Sequence, residues 1–158
     1  NNIPRIQGCI ERLCRLCGEP LAPSSLSDSE MKYRIPGPGR LAEMSAEDLA
    51  PVRLGYRARY LVESARRAED QGLPESCDEL LEFSGIGPKV ASCIQLFGLH
   101  DFSAFPIDVW VARLMHELYG LDPKDKKNMA RYAYEHFHEL AGLAQQYLFY
   151  YMRSGLGR

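Results

Sequence analysis

Hydrophobic residues recur at helical spacing along most of the chain. In the first segment this i, i+3, i+4 pattern is carried by Ile6, Ile10, Leu13, Cys14 and Cys17, which predicts one apolar helix face that ends at Gly18. A second helix is predicted over 57–71 and ends at Gly72. Its expected face consists of Tyr60, Leu61, Ser64, Ala65 and Ala68.

The remaining pattern predicts further helices and no β-rich region. Prolines and glycines make 19–40 irregular. Ser45 and the acidic residues after it resemble a helix cap, which predicts a short helix over 45–51. Further helices are expected over 79–83, 88–97, 106–119 with Asp108 at its N-cap, 126–140 and 141–153. The expected fold class is therefore all-α, in one helical region over 1–158.

Composition narrows the class of protein. The chain has 158 residues, 46% of them hydrophobic and 25% charged, with a net charge of −2. These values exclude collagen-like, disulfide-framework and disordered chains, because such a sequence can bury a substantial core. No apolar run approaches the roughly 20 residues that a membrane-spanning helix requires. The chain begins at Asn1 without a methionine, which suggests that residues precede it in the native protein.

The five cysteines are odd in number and scattered, which indicates a reducing, intracellular compartment. Cys14 and Cys17 form a CxxC pair and so raise the possibility of a zinc or redox site. No second CxxC and no histidine pair at finger spacing accompanies them. Because residues three apart lie on one helix face, a small apolar stripe is the favoured interpretation.

The chain as a whole is not basic, since its pI is about 6.1, which counts against a general nucleic-acid-binding protein. Basic residues nevertheless concentrate between 31 and 71, where a solvated helix face is the default interpretation. They are Lys32, Arg34, Arg40, Arg53, Arg57, Arg59, Arg66 and Arg67.

The segment 84–89, Ser-Gly-Ile-Gly-Pro-Lys, lies between two predicted helices. It is too short for a P-loop, and no strand precedes it as in a Rossmann turn. Gly85 and Gly87 permit positive φ and leave backbone N–H groups uncovered at a helix start, which suits a phosphate. A plain helical hairpin with glycine in its turn is the alternative.

Lys89 and Asp108 favour a functional site over a plain helical hairpin. Lys89 occupies the first turn of a predicted helix, where the helix dipole disfavours a cation. A lysine whose charged form is disfavoured is a candidate nucleophilic amine. Asp108 begins another predicted helix and is either an ordinary N-cap or a carboxylate that orients the amine and stabilises positive charge.

These segments resemble the helix-hairpin-helix, Gly/Pro-rich loop and Asp signature of base-excision DNA glycosylases, and in particular the 8-oxoguanine DNA glycosylases. The hairpin, expected at 79–97, carries Phe83-Ser-Gly-Ile-Gly-Pro-Lys-Val-Ala-Ser-Cys93, and Phe105-Pro-Ile-Asp-Val109 follows it. Three other stretches are similar to the same family in the same order: 1–6 with 11–14, 54–60 and 144–149.

The resemblance implies a bifunctional glycosylase and AP lyase, with Lys89 as the Schiff-base lysine and Asp108 as the catalytic aspartate. The implied pocket for the flipped oxidised guanine is Cys93, Pro106, Gln145 and Phe149. Gln145 and Phe149 are four residues apart on one predicted helix, so both can face one pocket.

The implied DNA-facing residues are Asn1, Asn2, Arg5, Tyr56, Arg57, Gly85, Gly87 and Trp110. Trp110 stands where better-known members have a phosphate-contacting histidine, and an indole offers one hydrogen bond and no charge. Pro88 replaces a common Thr or Ser, a change that suits a first helical position.

The resemblance also implies what accompanies the helical region. The implied partners are damaged duplex DNA and an upstream β-rich domain of the same protein, in a monomer without membrane contact. Without that domain, slow or absent excision is expected. No organic cofactor is implied, but the carbonyl groups of Leu81, Phe83 and Ile86 are expected to bind Na⁺ or K⁺. The expected location is intracellular, in the nucleus or the nucleoid.

Rival interpretations make different demands on the sequence. The endonuclease III branch holds an iron–sulfur cluster on C-terminal cysteines, and no cysteine follows Cys93. The alkylated-base branch lacks the hairpin lysine. A non-catalytic helix-hairpin-helix DNA-binding module stays open as the alternative, since it needs the glycines but not Lys89, Asp108 or Gln145.

Overall fold

The computed structural model describes residues 2–22 and 31–154. Regular structure in these ranges is helical apart from one isolated antiparallel bridge between Pro20 and Tyr33, which confirms the all-α class. The α-helices are α1 (Ile3–Cys17), α2 (Pro38–Ala42), α3 (Arg57–Gln71), α4 (Cys77–Leu81), α5 (Pro88–Phe97), α6 (Val109–Tyr119), α7 (Lys126–Phe137) and α8 (Ala141–Arg153). Within the described ranges, no helix has the length and apolar character needed to cross a bilayer.

Contacts divide the chain into two compact units. Unit 1 comprises Asn1–Pro74 with Phe83–Gly85, and unit 2 comprises Glu75–Glu82 with Ile86–Arg158. The hairpin region expected at 79–97 therefore contributes residues to both units.

The core of unit 1 is formed by α2, the turn that follows it and α3. Its buried members are Leu41, Met44, Leu49, Val52, Ala58, Val62 and Ala65. The expected face of α3 is partly wrong, because Ala58, Val62 and Ala65 are the residues that the helix buries. Tyr60 and Ser64 are half-buried, and they contact the 83–85 segment instead.

The cysteines of α1 take part in apolar packing, as their helical spacing predicts. Cys9 and Cys17 pack against the core of unit 1, and Cys14 is 8% exposed. Burial raises the pKa of the Cys17 thiol; the positive charge of Arg40 opposes this shift, and Cys14 adds to it. In the part of the chain that the structure describes, no group of three or more His, Cys, Asp or Glu residues is placed to hold a metal ion.

Residues 45–52 differ from the predicted short helix. The backbone N–H of Ser45 donates to Asp48 Oδ2 at 2.8 Å, and the Ser45 hydroxyl donates to the same oxygen at 2.9 Å. These two hydrogen bonds lower the pKa of Asp48. The chain then continues as turns into a 3-10 helix, Ala50–Val52, because Pro51 has no N–H with which to extend an α-helix.

Three other boundaries also move. Pro38 is the first residue of α2, so the segment predicted to be irregular ends earlier than 40. Helix α4 begins and ends two residues earlier than predicted, because Ser76 caps it through the backbone N–H of Glu79. The helix predicted over 126–140 ends at Phe137, and a 3-10 helix, His138–Leu140, follows it.

The core of unit 2 is built from α6, α7, the start of α8 and the segment that precedes α6. Its buried members are Phe105, Ile107, Val111, Ala112, Met115, Met129, Ala133 and Ala141. The predicted boundaries of α5 and α8 are confirmed, and so is the end of α6 before Gly120. Helix α6 begins at Val109 and not at 106, because the Asp108 side chain caps it through the N–H groups of Trp110 and Val111. This unit holds Lys89, Asp108 and the four residues expected to form the base pocket.

Candidate active site

In the turn before α5, one of the two glycines has the positive φ that the sequence permits, and Gly87 is extended with φ −98°. Gly85 adopts φ +78°, and a Cβ there would come within 2.5 Å of the Tyr60 ring. Gly87 is the N-cap of α5, makes no side-chain cap and is followed by Pro88. The first backbone bond of this turn runs from Ala91 to Gly87 at 2.9 Å. The backbone N–H groups of the first turn are thus directed out of the helix, as an anion site requires.

Lys89 is the second residue of α5 and its side chain is exposed. It lines a cavity of about 490 Å³ within unit 2. The other lining residues are Gly87, Pro88, Val90, Ser92, Phe105, Ile107, Lys126, Lys127 and Ala130. The candidate nucleophile therefore faces an open space with an apolar wall and further ammonium groups.

Asp108 is the N-cap of α6, as predicted. One carboxylate oxygen, Oδ1, accepts the backbone N–H groups of Trp110 at 2.9 Å and Val111 at 2.8 Å. Phe105, Pro106 and Ile107 are buried and fix the chain just before it. The carboxylate is half-buried, and its second oxygen, Oδ2, takes no part in the cap. The ordinary capping role is thus confirmed, and it leaves an oxygen that can act on a substrate.

The start of α8 determines where Gln145 lies. The backbone N–H of Gly142 donates to the carbonyl oxygen of Phe102 at 2.7 Å. A Cβ on Gly142 would come within 2.5 Å of Leu96 and 2.6 Å of the carbonyl oxygen of Ala104. Gln145 lies one turn later on the same face and is 5% exposed. Among the residues that the structure describes, it is the polar side chain that is buried.

The other expected base-pocket residues also lie in unit 2. Phe149 is half-buried and packs against the core cluster, with the Arg153 guanidinium 5.7 Å from its ring centre. Cys93 is half-buried on α5 and Pro106 is buried. Trp110, one of the expected DNA-facing residues, is 50% exposed in the first turn of α6.

Unit 1 brings together two of the expected DNA-facing residues. Arg5 and Arg57 line one groove of about 170 Å³. Tyr56 is 66% exposed, and the Arg57 guanidinium lies 4.5 Å from its ring centre. Asn2 caps α1 by accepting the backbone N–H of Arg5 at 3.0 Å, so its side-chain oxygen has a structural role. Asn1 lies outside the described residues.

The residues that sequence reasoning missed are all basic. Lys126 and Lys127 share the cavity with Lys89, and Arg53 shares the groove with Arg5 and Arg57. Lys126 and Lys127 carry the same signal as Lys89, a cation in the first turn of a helix. Arg53 has φ +62°, which its sequence context does not predict.

The sequence of this chain is similar to those of known DNA repair proteins. A sequence model described as HhH-GPD superfamily base excision DNA repair protein matches residues 1–139. The chain is 36% identical over 125 residues to the probable N-glycosylase/DNA lyase of Methanothermobacter thermautotrophicus. It is 34% identical over 138 residues to N-glycosylase/DNA lyase OGG1 of Arabidopsis thaliana. These alignments cover 73% and 74% of this chain, but 40% and 38% of the two relatives.

A solved structure matches over nearly the whole chain. Clostridium acetobutylicum 8-oxoguanine glycosylase/lyase, in complex with dsDNA containing cytosine opposite to 8-oxoG, gives a TM-score of 0.86 at 35% identity. The match covers 98% of this chain and 56% of that one. The chain thus spans about half the length of the relatives that it matches, or less.

Proposed function

The chain belongs to the HhH-GPD superfamily of base excision DNA repair proteins, and from this premise we propose that it is a DNA glycosylase and AP lyase acting on 8-oxoguanine in duplex DNA. The observation that supports this most is the place of Lys89, in the first turn of α5 after an uncapped Gly-Ile-Gly turn and facing a cavity. A DNA-binding module without catalysis needs the turn and has no use for the amine.

The chemistry begins with displacement at the sugar C1′. The neutral amine of Lys89 forms a bond to C1′ while the bond from C1′ to the oxidised base breaks and the base leaves with the bonding electrons. The base takes up a proton, and the amine loses one. The Oδ2 oxygen of Asp108 stabilises the positive charge that develops on the sugar.

The second step cleaves the strand. The C1′–O4′ bond then breaks and O4′ takes up a proton, which leaves a protonated imine between C1′ and Lys89 and makes the hydrogen on C2′ acidic. Loss of that proton expels the 3′ phosphate oxygen with its bonding electrons, and water then releases the amine.

Base recognition is assigned to Cys93, Pro106, Gln145 and Phe149. A glycosylase must hold an extruded base by stacking and by hydrogen bonds to its edge. The buried amide of Gln145 and the ring of Phe149, one turn apart on α8, supply one group of each kind. The thiol of Cys93 supplies a polarisable surface for the opposite face of the base.

A monovalent cation at the hairpin is part of the same proposal. Leu81, Phe83 and Ile86 would hold it through backbone carbonyl oxygens, which are neutral ligands suited to a hard cation. Leu81 is the last residue of α4, where carbonyl groups lack partners within the helix. When bound, the ion would supply positive charge beside a DNA phosphate.

Borohydride trapping tests this function. The protein is incubated with a duplex containing 8-oxoguanine opposite cytosine, or a preformed abasic site, in the presence of borohydride. We expect a covalent protein–DNA adduct that Lys89→Gln abolishes, while binding to the damaged duplex persists. A wild-type protein that binds the duplex and forms no adduct on the abasic site would be a non-catalytic module.

A further inference from the structure

The cavity that Lys89 faces is lined by three lysines. Lys126 and Lys127, the first two residues of α7, line it together with Lys89. No acidic residue is among the described residues that line this cavity. The chain as a whole carries a net charge of −2, so the positive charge here is local and not a general property of the surface. Low-dielectric walls around charges of one sign concentrate ligands of the opposite sign.

The positions of these lysines count against a role in folding. Lys89 is the second residue of α5, and Lys126 and Lys127 are the first two of α7. A cation at a helix N-terminus is opposed by the helix dipole. Both α7 lysines are exposed, and they line the same cavity as Lys89. Their placement disfavours folding slightly but suits a bound anion.

The rest of the cavity lining is mostly apolar. It includes Pro88, Val90, Phe105, Ile107 and Ala130, and Phe105 and Ile107 belong to the buried core of unit 2. A ligand that fits this lining has an anionic group and a compact apolar part. A deoxyribose with its phosphate has this chemistry.

We propose that Lys126 and Lys127 bind a backbone phosphate of the damaged strand, next to the nucleotide whose sugar Lys89 attacks. The apolar residues of the lining contact the sugar that carries this phosphate. This inference rests on the proposed function, and it assigns a second phosphate-binding element besides the Gly-Ile-Gly turn. Lys126 and Lys127 are positioning residues, because they hold the strand and do not touch the reacting atoms.

The test is the salt dependence of DNA binding. Affinity of the protein for a duplex with a tetrahydrofuran abasic analogue is measured from low to moderate salt, for wild type and for Lys126→Gln/Lys127→Gln. Each lost phosphate contact lowers the slope of log K against log salt by about 0.9. We therefore expect the slope to fall by about 1–2 and the affinity near 0.1 M salt to fall roughly 10–100-fold.

Matched variants separate a specific contact from general charge. Lys124→Gln removes an exposed lysine just before α7 that does not line the cavity, and it should leave the slope nearly unchanged. Lys126→Arg/Lys127→Arg should retain the wild-type slope. The melting temperature of the double glutamine variant should equal or exceed that of wild type, since the helix dipole no longer opposes two cations.

Kinetics supply the second readout. The reaction measured is single-turnover strand cleavage at a preformed abasic site. At saturating enzyme, the rate of the double glutamine variant should stay within about 3-fold of wild type, while the enzyme concentration that gives the half-maximal rate rises. An unchanged slope, or an equal loss in Lys124→Gln, would overturn the proposal. If wild type forms no borohydride adduct, the proposed function fails, but the binding slopes still decide whether these lysines hold a phosphate.

Discussion

Asp108 accepts the backbone N–H of Val111 at 2.8 Å through the same oxygen, Oδ1, that accepts the N–H of Trp110. The cap of α6 therefore occupies one side of the carboxylate and leaves Oδ2 outside the helix. A single residue can thus fix the start of a helix and present a negative charge to the substrate.

Asp108→Asn separates these two roles. Asparagine caps a helix about as well as aspartate, so the melting temperature should change little. The excision rate should fall by about 10²–10³, because electrostatic stabilisation of this kind is worth ~2.7–4 kcal/mol. Single-turnover excision and a thermal melt measure the two effects. A variant with near-normal turnover would leave Asp108 as a cap alone.

Gln145→Ala and Phe149→Ala should affect the two chemical steps unequally. Only excision requires the base to be gripped, so the excision rate should fall by at least 10-fold, while cleavage of a preformed abasic site changes much less. Leu143→Ala, at an exposed position of the same helix, is the control and should alter neither rate. Equal losses on both substrates would mean that these residues support folding instead of recognition.

Gly142→Ala tests how α8 is placed. The added methyl group would lie 2.5 Å from the Leu96 side chain and 2.6 Å from the carbonyl oxygen of Ala104, so the helix must shift. Overpacking of this kind costs about 1–3 kcal/mol, which chemical denaturation measures. Gly8→Ala is the contrast, since its nearest neighbour is the flexible end of Arg12. It should be neutral or stabilising, and a Gly142 variant that behaves alike would contradict the close packing.

Asp48→Asn tests whether the hydrogen bonds from Ser45 to the Asp48 carboxylate make the stability of the fold depend on pH. Because these bonds lower the pKa of Asp48, the carboxylate stabilises the fold above the ordinary carboxyl pKa. That contribution is lost as pH falls through the lowered pKa. The melting temperature of wild type should therefore exceed that of the variant at pH 7, and the two should converge once the pH lies below the lowered pKa of Asp48. A difference independent of pH would show that ionisation of Asp48 does not matter.

The sequence predicts this fold well wherever local signals agree. Asp108 and Gly120 delimit α6 because a capping carboxylate and a glycine with φ +68° occupy its ends. The prediction is wrong over 45–51, where a genuine cap is followed by Pro51, and the missing donor outweighs the cap. It misses the cap at Ser76, whose side-chain oxygen accepts the backbone N–H of Glu79 and starts α4 two residues before the predicted position.

The sequence predicts only part of the candidate site. Lys89 stands out because a cation in the first turn of a helix is opposed by the helix dipole. Asp108 stands out because a carboxylate has one oxygen more than a helix cap requires. Lys126 and Lys127 lie 37 and 38 residues after Lys89 along the chain, and only the packing of unit 2 places all three around one cavity. Tertiary proximity of this kind has no local signature.

The attachment site of the trapped DNA tests the central claim most directly. The borohydride adduct formed on an abasic duplex is digested with a protease, and the peptide that carries the sugar fragment is identified by mass spectrometry. Lys89, Lys126 and Lys127 line one cavity, so the experiment distinguishes a specific nucleophile from any nearby amine. The account predicts that the fragment is attached to Lys89 alone. Attachment to Lys126 or Lys127, or an adduct of unchanged yield in Lys89→Gln, would contradict it.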